Sequence, residues 1–227
     1  MTKNTVLWAA EPTAHQQLIE YLQPRGFALQ IIHEEAALLP AVLQARAAAL
    51  VLAAEFPSIQ LFDLLRAIRQ VTRLPVLLLL AAADEMEGII GLELGADDYL
   101  LQPVNPRILA ARLRAILRRT RAEAEPLPPP GVFTKGVFRL NEQARQAWLA
   151  ESELALTTIE FDLLRAFLGA AGQPLSRETL SQAVLGRAFH PTDRSVDVHI
   201  SNLRRKLGLA ACIKALRGIG YVFTALA

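Results

Sequence analysis

The first 120 residues switch repeatedly between short apolar runs and helix-length segments, and no other feature constrains the fold as tightly. Runs at 5–10, 28–32, 48–53, 76–80 and 98–101 read as strands. Helix patterns follow them at 14–25, 35–45, 59–71, 84–94 and 106–121. The run 76–80 is Val-Leu-Leu-Leu-Leu, apolar at every position, so both of its faces must be covered. Strands of that kind alternating with helices imply a doubly wound α/β fold, a five-stranded parallel sheet between two helical layers. Ligand-binding and reacting groups in such folds gather at the carboxyl ends of the strands. Here those ends carry Ala9, Ala10, Ala53, Leu80 and Gln102. None offers a carboxylate, a hydroxyl or an ammonium group.

A spacer separates this half from a second one. Residues 121–130 hold four prolines and three charges, and proline removes backbone donors and favours extended, semi-rigid chain. The expected organisation is a domain at 1–120, a linker at 121–130 and a domain at 131–227. The net charge of +2 is unevenly shared. Residues 1–120 carry 11 Lys+Arg against 12 Asp+Glu, whereas residues 131–227 carry 12 against 8. A modestly basic C-terminal half fits a nucleic-acid partner.

The longest apolar runs, such as 76–83, are far shorter than the roughly 20 residues of a membrane helix. The apolar stretch between Lys3 and Glu11 is too short for a signal peptide, so a cytoplasmic protein with no membrane partner is expected. A single cysteine, Cys212, leaves no internal disulfide and no cysteine-based zinc site. It reads as a small buried hydrophobe, with pairing between chains as the alternative. His15, His33, His190 and His199 form no catalytic or metal-ligand pattern. Gly218-Ile219-Gly220 is a lone Gly-x-Gly in a hairpin turn, not a phosphate loop. No enzyme activity, cofactor or metal is expected.

The second half opens with short strand patterns over 132–156, followed by three helix patterns. Thr157 and Glu160 have the spacing of a capping box, and Phe161, Leu164, Phe167 and Leu168 supply the buried stripe behind it. Ser176 caps the second helix, the third runs from about 194 to 207, and a hairpin closes the chain. On the third helix Val196, Ile200, Leu203 and Leu207 share one narrow face at 100° per residue. The opposite face carries Arg194, Val198, Ser201, Asn202 and Arg205, flanked by His199, Arg204 and Lys206. Short polar, amide and guanidinium groups on one face suit a DNA major groove. A solvated face of an ordinary amphipathic helix has the same periodicity.

Four blocks resolve that ambiguity. Leu156-Thr157-Thr158-Ile159-Glu160-Phe161, Ser176-Arg177-Glu178-Thr179-Leu180, residues 194–207 and Arg217-Gly218-Ile219-Gly220-Tyr221 occur in the order of one family. Together they resemble the winged-helix domain of OmpR/PhoB-type response regulators of two-component systems. Residues 1–120 resemble the flavodoxin-like receiver domain of that family, most closely along Gly91-Leu92-Glu93-Leu94-Gly95-Ala96-Asp97-Asp98-Tyr99-Leu100. The resemblance implies that Arg194, His199 and Arg204 touch DNA phosphates. Ser201 and Asn202 fall at DNA-contacting positions that often carry arginine, and Arg217 matches an arginine that reaches the minor groove. Ala215 replaces the usual threonine of the wing. Residues 185–193, closed by Asp193, match a loop that contacts RNA polymerase in the family's activators.

The receiver half departs from the family. The resemblance aligns Ala9 and Ala10 with the acidic pair that holds magnesium and Ala53 with the phospho-accepting aspartate. Leu80 replaces the hydroxyl residue and Gln102 the lysine. Glu11 and Glu55 are nearby carboxylates, but neither matches the acceptor. Ala9, Ala10, Ala53 and Leu80 are expected to collapse into one apolar cluster. The resemblance also implies a homodimer surface of Asp97, Asp98, Tyr99, Arg112, Arg114, Arg118 and Arg119, the acids pairing with arginines of the partner's fifth helix. The function expected is a sequence-specific regulator of transcription on double-stranded DNA, independent of phosphorylation, with the receiver half as dimerisation platform. The alternative is a protein-interaction or small-molecule-sensing module with weak or no specific DNA binding.

Overall fold

The computed structural model describes residues 5–11, 13–44, 47–56, 60–81, 85–121, 132–208 and 213–224. Two compact units result, Met1–Arg118 and Arg119–Ala227. Cys212 lies outside the described residues, as does the side chain of Arg119.

The first unit contains strands β1 (Thr5–Ala9), β2 (Ala28–Ile32), β3 (Ala49–Ala53), β4 (Val76–Leu80) and β5 (Asp98–Leu101). Its helices are α1 (Gln16–Leu22), α2 (Glu35–Gln44), α3 (Leu61–Val71), α4 (Glu85–Glu93) and α5 (Pro106–Arg121). Every strand pair is parallel, in the order β2-β1-β3-β4-β5. That is the flavodoxin-like order, with its switch point between β1 and β3. The helix expected over 14–25 is shorter. After Leu22 it tightens into a 3-10 turn, Gln23–Arg25, because Pro24 lacks a backbone donor, and Gly26 at φ 89° ends it.

Successive side chains of a strand point to opposite faces, and this divides the core in two. Val6, Trp8, Val51, Leu77 and Leu79 pack with Leu109, Leu113 and Ile116 of α5. Leu7, Leu50, Leu52 and Leu78 pack with Leu38 of α2 and Leu64, Leu65 and Ile68 of α3.

The second unit opens with an antiparallel meander of β6 (Val132–Lys135), β7 (Phe138–Asn141), β8 (Gln146–Leu149) and β9 (Ser152–Leu154). Then come α6 (Thr158–Gly169), β10 (Pro174–Leu175), α7 (Arg177–Leu180), a π-helical turn Ser181–Leu185 and α8 (Ser195–Leu207). The hairpin of β11 (Ile213–Leu216) and β12 (Gly220–Phe223) pairs with β10 in the order β10-β12-β11.

Local chemistry sets these boundaries. Thr157 N donates to Glu160 Oε2 at 2.7 Å while Glu160 N donates to Thr157 Oγ1 at 3.4 Å, a complete capping box. Thr179 N donates to Ser176 Oγ at 3.1 Å and starts α7. Phe161, Leu164, Phe167 and Leu168 of α6 meet Val196, Ile200, Leu203 and Leu207 of α8 in one core. Gly220 sits at φ 147°, and a Cβ there would lie 2.1 Å from Leu175 O. Only glycine lets β12 lie this close to the end of β10.

Candidate functional site

At the strand ends of the first unit the expected single apolar cluster does not form. Ala10 and Ala53 belong to the core facing α5, whereas Ala9 and Leu80 belong to the core facing α2 and α3. All four are at most 1% exposed. Adjacent residues of a strand cannot share a face, so Ala9 and Ala10 are held apart by the pleat itself.

A polar bridge spans the strand ends instead. Gln102 Nε2, just past β5, donates to Glu55 Oε1 at 2.6 Å, just past β3. Gln102 Oε1 lies 3.3 Å from His15 Nε2, beyond β1. Glu55 Oε2 is 3.8 Å from the same nitrogen, which closes a ring of three side chains. His15 is 5% exposed, and its ring meets that of Trp8 edge to face with centroids 5.8 Å apart. Glu55 is therefore occupied by Gln102. Glu11 accepts from Thr13 Oγ1 at 2.8 Å and from Thr13 N at 3.1 Å. These bonds, the hydroxyl's first, hold the Glu11 carboxyl below its usual range. Among the described residues no group of three His, Cys, Asp or Glu is placed to hold a metal ion.

The acids expected to reach a partner are engaged within their own chain. Asp97 is 1% exposed, and its Oδ2 accepts from Arg69 Nη2 and from Val76 N, each at 2.9 Å. Arg69 also donates to Gly95 O at 2.7 Å and to Leu74 O at 2.6 Å. Asp97 thus ties α3 to the start of β4. Asp98 pairs with Arg112 across the β5–α5 connection. Carboxylates this buried need a charged partner, and each has one within its own chain. The ring of Tyr99 packs on Gly88, where a Cβ would lie 2.3 Å from it. Arg114 lies over the Phe27 ring at 5.7 Å. Arg118 is exposed, as are Met86 at 59%, Ile90 at 36% and Ile108 at 49%, on the helices flanking the edge strand β5.

In the second unit the exposed side of α8 is narrower than its periodicity suggests. Arg194, Ser201, Arg205 and Lys206 are exposed and Val198 is half-buried. His199 and Asn202, expected at the surface, are 1% and 3% exposed. They share a flank with Lys206, whose Nζ donates to Ala155 O at 2.8 Å and Glu160 Oε2 at 2.6 Å. This flank is therefore turned toward the start of α6. Asn202 Oδ1 accepts from Arg205 Nη2 at 2.7 Å. The amide steadies an arginine and does not face outward. Arg204, expected on phosphate, donates through Nε and Nη2 to Ile213 O at 3.0 and 2.8 Å. It holds the wing strand β11. Arg217 and Lys214 are exposed on the wing.

A carboxylate that the sequence reading passed over joins these parts. Asp197 Oδ1 accepts from Arg177 Nε of α7 at 2.9 Å and from the Tyr221 hydroxyl of β12. Its Oδ2 lies 3.8 Å from Arg194 Nη1. Arg177 Nη2 also donates to Tyr221 Oη at 3.2 Å. The Tyr221 ring has Arg177 at 4.9 Å and Arg204 at 5.4 Å from its centroid. Burial first, then the bond to Asp197, pushes the Tyr221 hydroxyl above its usual range. Burial alone would lower Arg177, but Asp197 and Tyr221 outweigh it and hold the guanidinium above its ordinary value. At the head of α8, the loop over 185–193 is clasped by Arg187, which pairs with Asp193 and donates to Ser195 Oγ at 3.1 Å.

A parallel five-stranded unit joined to a winged helix-turn-helix unit, with arginines on its third helix and wing, defines a class of DNA-binding regulators. The chain belongs to the OmpR/PhoB family of response regulators. Residues 151–223 match the family described as "Transcriptional regulatory protein, C terminal". The chain is 42% identical over 213 residues to the transcriptional regulatory protein CpxR of Klebsiella pneumoniae subsp. pneumoniae (strain HS11286), covering 90% of this chain and 91% of that one. It is 37% identical over 209 residues to the transcriptional regulatory protein CreB of Escherichia coli (strain K12), covering 90% of each. The fold matches that of a cysteine-substituted mutant of RitR with a TM-score of 0.77, at 23% identity, over 98% of this chain and 100% of that one. This protein is accordingly a DNA-binding transcriptional regulator with a receiver-type N-terminal unit. No helix among the described residues is long and apolar enough to cross a membrane.

Proposed function

We propose that the protein regulates transcription in the cytoplasm by sequence-specific binding to duplex DNA, that its receiver-type unit works without phosphoryl transfer, and that this unit serves as a two-fold dimerisation platform. One observation carries the proposal: an exposed cationic and polar set on α8 and the wing coexists with strand ends that Gln102 has bridged to Glu55 and His15. Alanine at 9, 10 and 53 supplies neither the oxygen ligands that a hard cation requires nor an acceptor oxygen. Arg194, Val198, Ser201, Arg205 and Arg217 form the contact set, with phosphate held by Arg194 and base edges read by Ser201 and Arg205. His199, Asn202, Arg204 and Lys206 act behind it by holding the helix and the wing.

The dimer uses the face flanking β5. Exposed Met86, Ile90 and Ile108 provide apolar area there, and Arg118 sets register. Exposed ion pairs contribute little individually, so the apolar residues supply most of the affinity. The clasped loop over 185–193 presents a fixed surface for RNA polymerase. Selection of duplexes from a random pool by the untreated protein tests the proposal. Enrichment of a two-half-site sequence is the expected result, and enrichment of none contradicts it.

A further inference from the structure

An acid on a DNA-facing helix needs a reason, because it repels phosphate. Asp197 stands in the first turn of α8 with its side chain 23% exposed, one turn from Arg194. Three parts of the unit converge on its carboxylate: Arg177 before the recognition helix, Arg194 at its head, and Tyr221 behind the wing. Arg177 keeps 31% of its side chain exposed. Its Nε is committed to Asp197 and its Nη2 to Tyr221. Without the carboxylate this guanidinium would be an uncompensated cation beside the DNA-facing surface, and Arg194 would lose the counter-charge that lies 3.8 Å from its Nη1.

We infer that Asp197 is a specificity-determining positioning residue, which withholds Arg177 from the phosphate backbone and, through the Tyr221 hydroxyl, fixes the wing against the recognition helix. The inference rests on the DNA-binding reading above. Discrimination between sequences is a difference of affinities, from which attraction common to all sequences cancels. The ratio is therefore set by the contacts that Asp197 positions, and the overall affinity and its salt dependence by the arginine it withholds. Phosphate attraction is common to all sequences, and each phosphate neutralised adds about 0.9 to the slope of log K against log salt. A carboxylate that occupies one arginine lowers that shared term. The same carboxylate holds Tyr221, whose ring is flanked by Arg177 and Arg204, and Arg204 in turn grips Ile213 O at the root of the wing. The reach of Arg217 at the wing tip therefore depends on Asp197.

The test compares full-length wild type, Asp197→Asn and Tyr221→Phe on two probes, the duplex most enriched from a random pool and a scrambled duplex of equal length. Asp197→Asn keeps the side chain's shape and removes its charge. It is expected to bind the scrambled duplex several-fold tighter at low salt, with the salt slope steeper by about one. Its enriched-to-scrambled affinity ratio is expected to fall about tenfold. Tyr221→Phe keeps the ring and the charge of Asp197. It is expected to keep the wild-type slope while losing preference only at the base pairs flanking the major-groove positions. Parallel weakening of both probes by Asp197→Asn, or an unchanged ratio with an unchanged slope, would overturn the inference. So would a Tyr221→Phe profile identical to wild type. A wild-type protein that enriches no duplex would instead defeat the DNA-binding reading itself.

Discussion

Gln102 donates its side-chain amide to Glu55 at 2.6 Å, joining the ends of β5 and β3 at the carboxyl edge of the sheet. The other end of the same amide meets buried His15. One residue thereby links all three loops that follow β1, β3 and β5.

Replacing Gln102 with Ala should lower the stability of the first unit by about 1–3 kcal/mol, because it leaves the buried His15 donor without its acceptor. Urea denaturation followed by Trp8 fluorescence reads this, with Trp148 reporting on the other unit. An unchanged midpoint for the Trp8 transition would show that the bridge contributes nothing.

Asp97 and Arg118 should separate stability from association. Removing the Asp97 carboxylate leaves partly buried Arg69 without that counter-charge and the Val76 N–H without its acceptor, so Asp97→Ala should cost about 3 kcal/mol. Arg118→Asp combined with Ile108→Asp should leave the melting temperature nearly intact and shift the sedimentation profile toward monomer. A dimer undisturbed by that double change would place the interface elsewhere.

Arg205 and Asn202 should differ in kind. Arg205→Ala is expected to relax preference at one base position by about 1–3 kcal/mol. Asn202→Ala acts from a side chain 3% exposed, so it should lower thermal stability and disturb the same base position through loss of its bond to Arg205. A base-by-base affinity profile measures both, and a change for Asn202→Ala at a position that Arg205→Ala leaves alone would contradict the arrangement.

Tyr221 should ionise later than an ordinary tyrosine, whose value is about 10. The folded-state value is the raised one, so its contribution to stability is complete below about pH 10 and is lost as pH rises through the folded value. Ultraviolet phenolate titration of the folded protein should show a late component. Tyr221→Phe should remove it, and Asp197→Asn should bring it toward the ordinary range.

Much of this was legible in the sequence because the signals are periodic. Continuous apolar strands reported a sheet covered on both faces, and Thr157 with Glu160 marked the start of α6 to the residue. The losses came where contacts are not periodic. The angular position of Asn202 on a helical wheel is far from the core face, yet the neighbouring α6 start takes up that flank, and a wheel drawn for one helix contains no neighbour. Asp97 and Asp98 looked like surface acids because Arg69 and Arg112 lie 28 and 14 residues away in sequence. His15 gave no signal at all: its partners Glu55 and Gln102 come from other strand ends, and only the parallel topology brings the three together.

A regulator that reads DNA without phosphoryl transfer to its receiver-type unit must bind its site equally well with and without a phosphodonor. The direct measurement is a binding isotherm on the enriched duplex before and after incubation with magnesium and a small phosphodonor, with intact mass recorded on the same samples. Superimposable isotherms and no mass increase from phosphate are the predicted result. Tighter binding accompanied by a phosphoryl adduct within residues 1–120 would contradict it.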